Sequence, residues 1–413
     1  MTRSLRVLVL IQGPLGERLT GPEIRGWEIA RAFATRHAVT VIAPVAEPTA
    51  REGIRVLPQT RRTILAEVLR HDVVLGPIIP PYALIALASR RGLRIADLYD
   101  PVELELGTLD GARAGRSAAL RRAGRRLQLR WADLVLCGNL RQLERARGDV
   151  TDVAGRHDGG PNLLTVPMGL PDPAPSTDGH HPLRDRFAAI GRNDPLVVWW
   201  GSVWRWLDAG TAIEAVGRLS GTRPDVRFVI TAGKPPKAAT APLTAVEEAR
   251  ELARRTGLLD RHVFFMDDWV PFRDRHIFLR DADVGLTLHA DTPEASLAAR
   301  ARYMDYIWAA VPSVLAAGDE VAAELAAAGA ALLVPPHDAG AAAEALDALL
   351  GDPSAHTAAR RACLTVAERY RWASLLGPLV DRVESLEPRG GGPNDIVRTT
   401  LDGCGYYARR LLV

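Results

Sequence analysis

Two carboxylates and two guanidiniums crowd into the stretch Glu294–Pro312, EASLAARARYMDYIWAAVP, directly after an apolar run that ends in a polar turn, DADVGLTLHADTP. They are Glu294, Arg300, Arg302 and Asp305. A strand feeding a charged helix in this way suits phosphate chemistry. In an open parallel sheet, ligands bind beyond the carboxyl ends of the strands, and helix N-termini offer free N–H groups to anions. A guanidinium fork adds paired donors for phosphate oxygens. On one continuous helix Arg302 and Asp305 would share a face, while Arg300 would point partly elsewhere. The competing reading is a surface helix whose charges flank an apolar seam of Tyr303, Tyr306, Ile307 and Ala310, because charge runs usually mark solvated faces.

Other residues of this kind sit at strand ends. Asp100 follows an apolar run in YDPVELE, with Glu103 and Glu105 close behind. It is either a base or hydroxyl-orienting group, or a turn residue before proline. The segment Gly13–Gly21, GPLGERLTG, lacks the spacing of a dinucleotide fingerprint and reads as a loop that lets backbone approach a ligand, with Glu23 opening the helix behind it. Gly201 ends PLVVWW and leads into SVWRWLD, which carries Trp204 and Arg205; Lys234 ends a later strand in GKPPK, and Trp269 lies in DDWVPF. His289 stands alone at a strand end, where a hydrogen-bonded structural role is commoner than metal ligation. Cys137, Cys363 and Cys404 are too far apart for a disulfide framework or a zinc cluster, so no metal site is expected and a reducing cytoplasm is. The basic cluster Arg113–Arg130, ARAGRSAALRRAGRRLQLR, is either a solvated helix face or a contact for anionic lipid or a negatively charged acceptor.

These residues need scaffolds to hold them. A chain of 413 residues exceeds the roughly 250–300 that one core supports, so two domains are expected. With 47% hydrophobic residues and a mean hydropathy of −0.02, the composition is that of a soluble globular protein. A net charge of +3 gives no reason to expect nucleic-acid binding, which needs a concentrated basic surface. No run reaches the roughly 18 apolar residues of a membrane span. At the N-terminus, SLRVLVLIQGP reads as a buried strand better than as a signal peptide.

In chain order, apolar strands are expected at 5–11, 38–43, 71–79, 92–99, 131–137 and 164–171, with helical spacing between them, notably over 23–35. A second series follows at 195–200, 226–232, 263–266 and 284–289. Strand, loop and helix in alternation build parallel sheets wound on both faces. The expectation is therefore α/β: residues 1–172 as one Rossmann-like domain, the proline-rich 173–194 as linker, and 195–372 as a second such domain, with a ligand cleft between two facing sheets. Residues 388–413 are a tail in which, after the flexible break PRGGGPND, IVRTTLDGCGYYARRLLV reads as a short terminal helix with no assigned role.

Over nearly its whole length the chain resembles the GT-B glycosyltransferases, in particular the retaining glycosyltransferase family 4. The resemblance rests on the order and spacing of the glycine-rich loop, VPMGLP, WWGSVW, RFVITAGK, VFFMDDWVPF, DADVGLTLH, EASLAARARYMDYIWAAVPSV and ALLVPPHD. It implies transfer of a sugar from a nucleotide-sugar donor to an acceptor hydroxyl, with retention and without a metal or other cofactor. Matching WAAVPSV to the family's small-residue turn places Asp305 at the second of two motif glutamates, whereas Glu294 lies ten intervening residues upstream, farther than in the usual motif. The pattern is similar to a subgroup with E…RxR…DYxWA, in which Glu294 would contact sugar hydroxyls and Asp305 the ribose diol. A further departure is that Ser202 and Leu207 occupy positions where the family has an arginine and a lysine for the diphosphate. Arg205, Lys234, Arg300 and Arg302 are the available replacements. The implied catalytic set is Glu294, Asp100 and Arg300. The donor site would take Gly201, Trp204, Arg205, Lys234, Trp269, Arg300, Arg302 and Asp305, and the acceptor side Gly21, Glu23 and Glu103. Tyr370-Arg371-Trp372 resembles the element that begins a terminal helix, 373–387, crossing back to the first domain. The implied setting is cytoplasmic, with peripheral contact at the inner membrane face through Arg113–Arg130 as a further option. A nucleotide-sugar epimerase and a non-catalytic binding protein are the alternatives.

Overall fold

The computed structural model describes residues 4–411 except 46, 48, 89–91, 109–111, 154–160, 172–178, 234–243 and 389–392. The chain divides into two compact units: residues 1–16, 20–167 and 372–413 form the first, and 17–19 with 168–371 the second.

The first unit is built on an eight-stranded sheet of β1 (Arg6–Leu10), β2 (Ala38–Ala43), β3 (Thr49–Arg51), β4 (Ile54–Pro58), β5 (Val73–Gly76), β6 (Leu93–Asp97), β7 (Leu134–Cys137) and β8 (Asn162–Thr165), in the order β3-β4-β2-β1-β5-β6-β7-β8. Every pairing is parallel except β3 with β4. Val7, Leu8, Val9, Val73 and Val74 are fully buried. Consecutive burial, without alternation, is what a parallel sheet covered by helices on both faces requires. The β3–β4 hairpin, not anticipated from sequence, turns through Glu52 and Gly53, whose φ values of 51° and 78° are those of a two-residue type I′ turn.

One buried cation ties this unit together. Arg25, on the helix Gly21–Ala34, has no exposed surface and forks onto Asp97 at the end of β6 (Nη2 to Oδ1, 2.9 Å), while its Nη1 donates to the carbonyls of Val166 (2.8 Å) and Pro167 (3.0 Å). The C-terminal residues also belong here. The helix Trp372–Glu384 packs beside Gly21–Ala34, where Arg36 donates to Asp381 at 2.7 Å. The tail forms the terminal helix expected there, Pro393–Leu411, which lies on the helices Pro81–Ala88 and Ala112–Trp131. There Asp402 accepts from Arg130 and from Trp131 Nε1, each at 2.9 Å.

The second unit holds six parallel strands, β9 (Leu196–Trp199), β10 (Arg227–Thr231), β11 (Val263–Met266), β12 (Val284–Thr287), β13 (Ser313–Ala316) and β14 (Ala331–Val334), ordered β11-β10-β9-β12-β13-β14. The order reverses between β9 and β12, the position at which doubly wound sheets bind ligands. β13 and β14 were not expected as strands. Of the stretch 173–194 expected as a linker, the part from His181 onward is packed into this unit. Buried Arg184 donates to Asp281 (3.1 Å), to Asp283 (3.1 Å) and to the Asp194 carbonyl (2.7 Å).

At Gly285 on β12, an added Cβ would lie 2.7 Å from the Tyr306 ring. Gly285→Ala is therefore expected to displace that ring and cost about 1–3 kcal/mol, the scale of overpacking in a close-packed core. Chemical denaturation followed by tryptophan fluorescence would measure it.

Candidate functional site

The charged stretch after β12 is two short helices, Pro293–Leu297 and Ala301–Trp308, joined by Ala298 and Arg300 in extended conformation, with ψ of 142° and 106°. Thr292 caps the first through Ala295 N (3.2 Å). The second is not a surface helix: Tyr303, Met304, Asp305, Tyr306, Ile307 and Trp308 are all buried. Its position is fixed by the Tyr306 hydroxyl, which lies 3.2 Å from the carbonyls of both Val198 on β9 and Leu286 on β12. Tyr306 thus bridges the two strands at the reversal of the sheet.

The four charges do not form one free cluster. Glu294 Oε2 accepts from Arg300 Nη2 at 3.0 Å, and both residues are buried. Asp305 is held by Arg275 (2.8 Å) and by Trp200 Nε1 (3.1 Å), a donor to each oxygen. Burial pushes Asp305 above the usual carboxylate range while Arg275 and Trp200 pull it back. Arg302 differs. Its Nη2 donates to the Ser202 carbonyl at 3.0 Å, its guanidinium lies 5.4 Å from the Trp199 ring centroid, and its buried Nη1 has no partner among the described residues. Burial pushes the Arg302 guanidinium down to about 10, so it still carries its charge at neutral pH. A desolvated cation with an unsatisfied donor is costly unless something completes its shell.

The loop after β9 brings backbone to this guanidinium. Gly201 has φ of 83°, in the left-handed region, and faces Arg302. Its N–H donates to Thr231 Oγ1 at 2.6 Å, and Ser202 Oγ donates to the Gly233 carbonyl at 2.6 Å. Gly233 runs so close to Asp268 and to the amide of half-buried Trp269 that a Cβ there would meet the Asp268 carbonyl at 2.7 Å. Trp204 stacks on Trp206, with centroids 5.1 Å apart. Arg205 is engaged by Glu248 at 3.1 Å, and Lys234 lies outside the described residues.

On the β12–β13 side, several buried polar atoms lack hydrogen-bond partners among the described residues: His289 Nε2, Asp319 Oδ2, Tyr303 Oη and Arg300 Nε. His289 and Asp319 approach to 3.7 Å. Burial raises the Tyr303 phenol well above its ordinary value, and Asp319 raises it further. Sequence reasoning set His289 aside and missed Tyr303, Asp319, Arg275 and Ser202 as partners. Only the strand-end position of His289 was a usable signal.

The first-unit candidates Glu23 and Glu103 have partners within that unit. Glu23 is buried and accepts the Thr20 amide (3.1 Å) at the start of the helix that Gly21 opens. Glu103 is buried and paired with Arg145 at 2.9 Å. Asp100 is half-buried just beyond β6. A cavity of about 700 Å³ opens at the amino ends of β1, β2 and β4, but Arg6 there is matched by Asp72, and Arg55 and Arg70 by Glu67. Among the described residues no three His, Cys, Asp or Glu side chains converge as metal ligands, and no helix is long and apolar enough to cross a membrane.

No family model matches the sequence, and no curated protein matches it. Solved structures do. HepE of Anabaena in complex with UDP and glucose is similar at a TM-score of 0.68 and 16% identity, covering 92% of this chain and 100% of HepE. An α,α-trehalose-phosphate synthase (UDP-forming) from Burkholderia vietnamiensis gives 0.68 and 16% over 93% and 99%. WaaG, a glycosyltransferase involved in lipopolysaccharide biosynthesis, gives 0.65 and 15% over 92% and 100%. The chain has the GT-B fold. At these identities the likeness establishes the fold alone, and within it the Arg302 site occupies the loops at the β9/β12 reversal.

Proposed function

We propose that the chain is a cytoplasmic, metal-independent glycosyltransferase of the retaining family 4 type, transferring a sugar from a nucleotide-sugar donor to an acceptor hydroxyl. The observation that carries this reading is Arg302. It is a half-buried arginine whose buried Nη1 has no partner among the described residues, set against the Gly201 turn where the sheet order reverses. A diphosphate would supply the missing acceptor oxygens, and transfer requires that the charge of the departing diphosphate be stabilised as the glycosidic bond breaks. In this reading Arg302 replaces the cations absent at Ser202 and Leu207. The buried pair Glu294–Arg300 and the buried polar side chains of His289, Tyr303 and Asp319 are suited to the hydroxyls of a sugar, which both donate and accept. Asp305, already held on both oxygens, positions Arg275 and Trp200. The complex of the structurally similar HepE with UDP and glucose favours a uridine donor.

Arg302→Ala should weaken binding of uridine diphosphate by about 1.5–3 kcal/mol, the scale of a hydrogen bond to a charged group. Titration calorimetry measures this, and unchanged affinity would remove Arg302 from the site. With a UDP-sugar donor and an accepted hydroxyl compound, the chain should release free diphosphate at a rate unaffected by chelator, and the product anomer should match the donor's. An epimeric nucleotide sugar formed with no net release of uridine diphosphate and no glycosylated product would favour an epimerase of this fold; binding with neither release nor epimerisation would favour a non-catalytic protein.

A further inference from the structure

The first unit carries a feature that glycosyl transfer does not use. The helix Ala112–Trp131 contains seven arginines and no carboxylate, against a whole-chain excess of three positive charges. Arg125 and Arg130 are engaged by Asp149 (3.0 Å) and Asp402 (2.9 Å). Arg116, Arg122 and Arg126 face solvent. The helix Pro393–Leu411 packs on this one and on Pro81–Ala88, which in turn contacts Arg61–Val68, so the four helices share one side of the sheet. This side adds exposed Arg61, Arg62, Arg398 and Arg410. Burial raises the Tyr407 phenol and both Arg61 and Arg410 oppose it, which puts charges from two of these helices at one place.

Apolar side chains stand out among the arginines. Eight large ones are exposed among the described residues, and four lie here: Leu65 (37%) and Leu69 (48%) on and just after the helix Arg61–Val68, Val397 (59%) and Leu401 (67%) on Pro393–Leu411. Val397, Leu401 and exposed Cys404 recur at i, i+4 and i+7, one outward stripe of a helix whose other face is packed. Cationic residues flanking a narrow apolar stripe match the two-part requirement of a peripheral membrane contact, in which shallow insertion is too weak alone and charge attraction completes it. A second copy of the chain is a poorer occupant, since a two-fold contact would set like-charged helices against each other.

We propose that this face, formed by the helices Arg61–Val68, Ala112–Trp131 and Pro393–Leu411, docks on an anionic lipid bilayer without crossing it. The proposal is independent of the transferase reading, because neither the residues nor the readout involve a nucleotide sugar.

The test is flotation of the full chain with phosphatidylcholine vesicles that contain or lack phosphatidylglycerol. The chain should float with the anionic vesicles and not with the neutral ones, and binding should fall with added salt as exposed charges are screened. Arg122→Ala with Arg126→Ala should lower the partition coefficient roughly fivefold per arginine removed. Leu401→Asp should lower it about tenfold while leaving the thermal unfolding midpoint unchanged, since the side chain is outside the core. Equal binding to both vesicle types, no binding to either, or full binding by all variants would overturn the proposal. So would a concentration-dependent dimer that Leu401→Asp abolishes in the absence of lipid, which would assign the face to a second copy.

Discussion

Arg25→Ala is expected to lower the stability of the first unit by about 3–5 kcal/mol, because it leaves the Asp97 carboxylate buried and uncompensated. Asp97 is only 6% exposed, and the two carbonyls of Val166 and Pro167 lose their donor in the same substitution. Urea unfolding read by circular dichroism would show an earlier midpoint for the transition of this unit. The double variant Arg25→Met with Asp97→Leu should recover much of the loss, since apolar residues of similar volume commonly replace a buried ion pair without penalty. A loss below about 1 kcal/mol in the single variant would mean that Asp97 finds water or a proton instead.

Arg300→Ala should have an effect of similar size on the second unit, about 3–5 kcal/mol, for the same reason: Glu294, only 2% exposed, would be stranded. The contrast with Arg302→Ala is the informative part. Arg302 has no carboxylate pressed against it and an unmet donor, so its removal should cost diphosphate affinity with little cost in stability. Differential scanning calorimetry and titration with uridine diphosphate on both variants separate the two roles. If Arg300→Ala kept full stability and lost diphosphate binding, the roles assigned to the two arginines would be reversed.

The strands were legible where apolar runs are bounded by turn residues. Ala38–Ala43 and Val263–Met266 stand where the sequence puts them. β14 was not legible because Leu332 and Leu333 are exposed on an edge strand, and the run ALLV after an alanine-rich segment does not distinguish strand from helix. The break at Ala298–Arg300 has no sequence signal either. Every residue from Leu297 to Arg302 is a good helix former and no glycine or proline interrupts them. Its reason is tertiary. On a continuous helix Glu294 and Arg300, six residues apart, would diverge by about 120°, and only the extended link lets Arg300 fold back onto Glu294. The partners of the acidic residues were illegible for a related reason. Glu23, Glu103 and Asp305 have the types and positions of ligand-binding groups, yet a helix cap, an arginine or an indole N–H holds each of them, and a side chain's partner is not written in its own neighbourhood of sequence.

The two units differ in how the chain supplies them. The second is nearly continuous, from residue 168 to 371, whereas the first needs both its strands before 167 and its helices after 372. During synthesis, therefore, the unit encoded in the middle has all its parts before the unit encoded first. Until residues 393–411 leave the ribosome, the helix Pro81–Ala88 lacks its cover and Arg130 and Trp131 lack the Asp402 carboxylate. The nascent chain carries the first unit incomplete throughout synthesis of the second, an interval in which exposed apolar surface invites chaperone capture or aggregation.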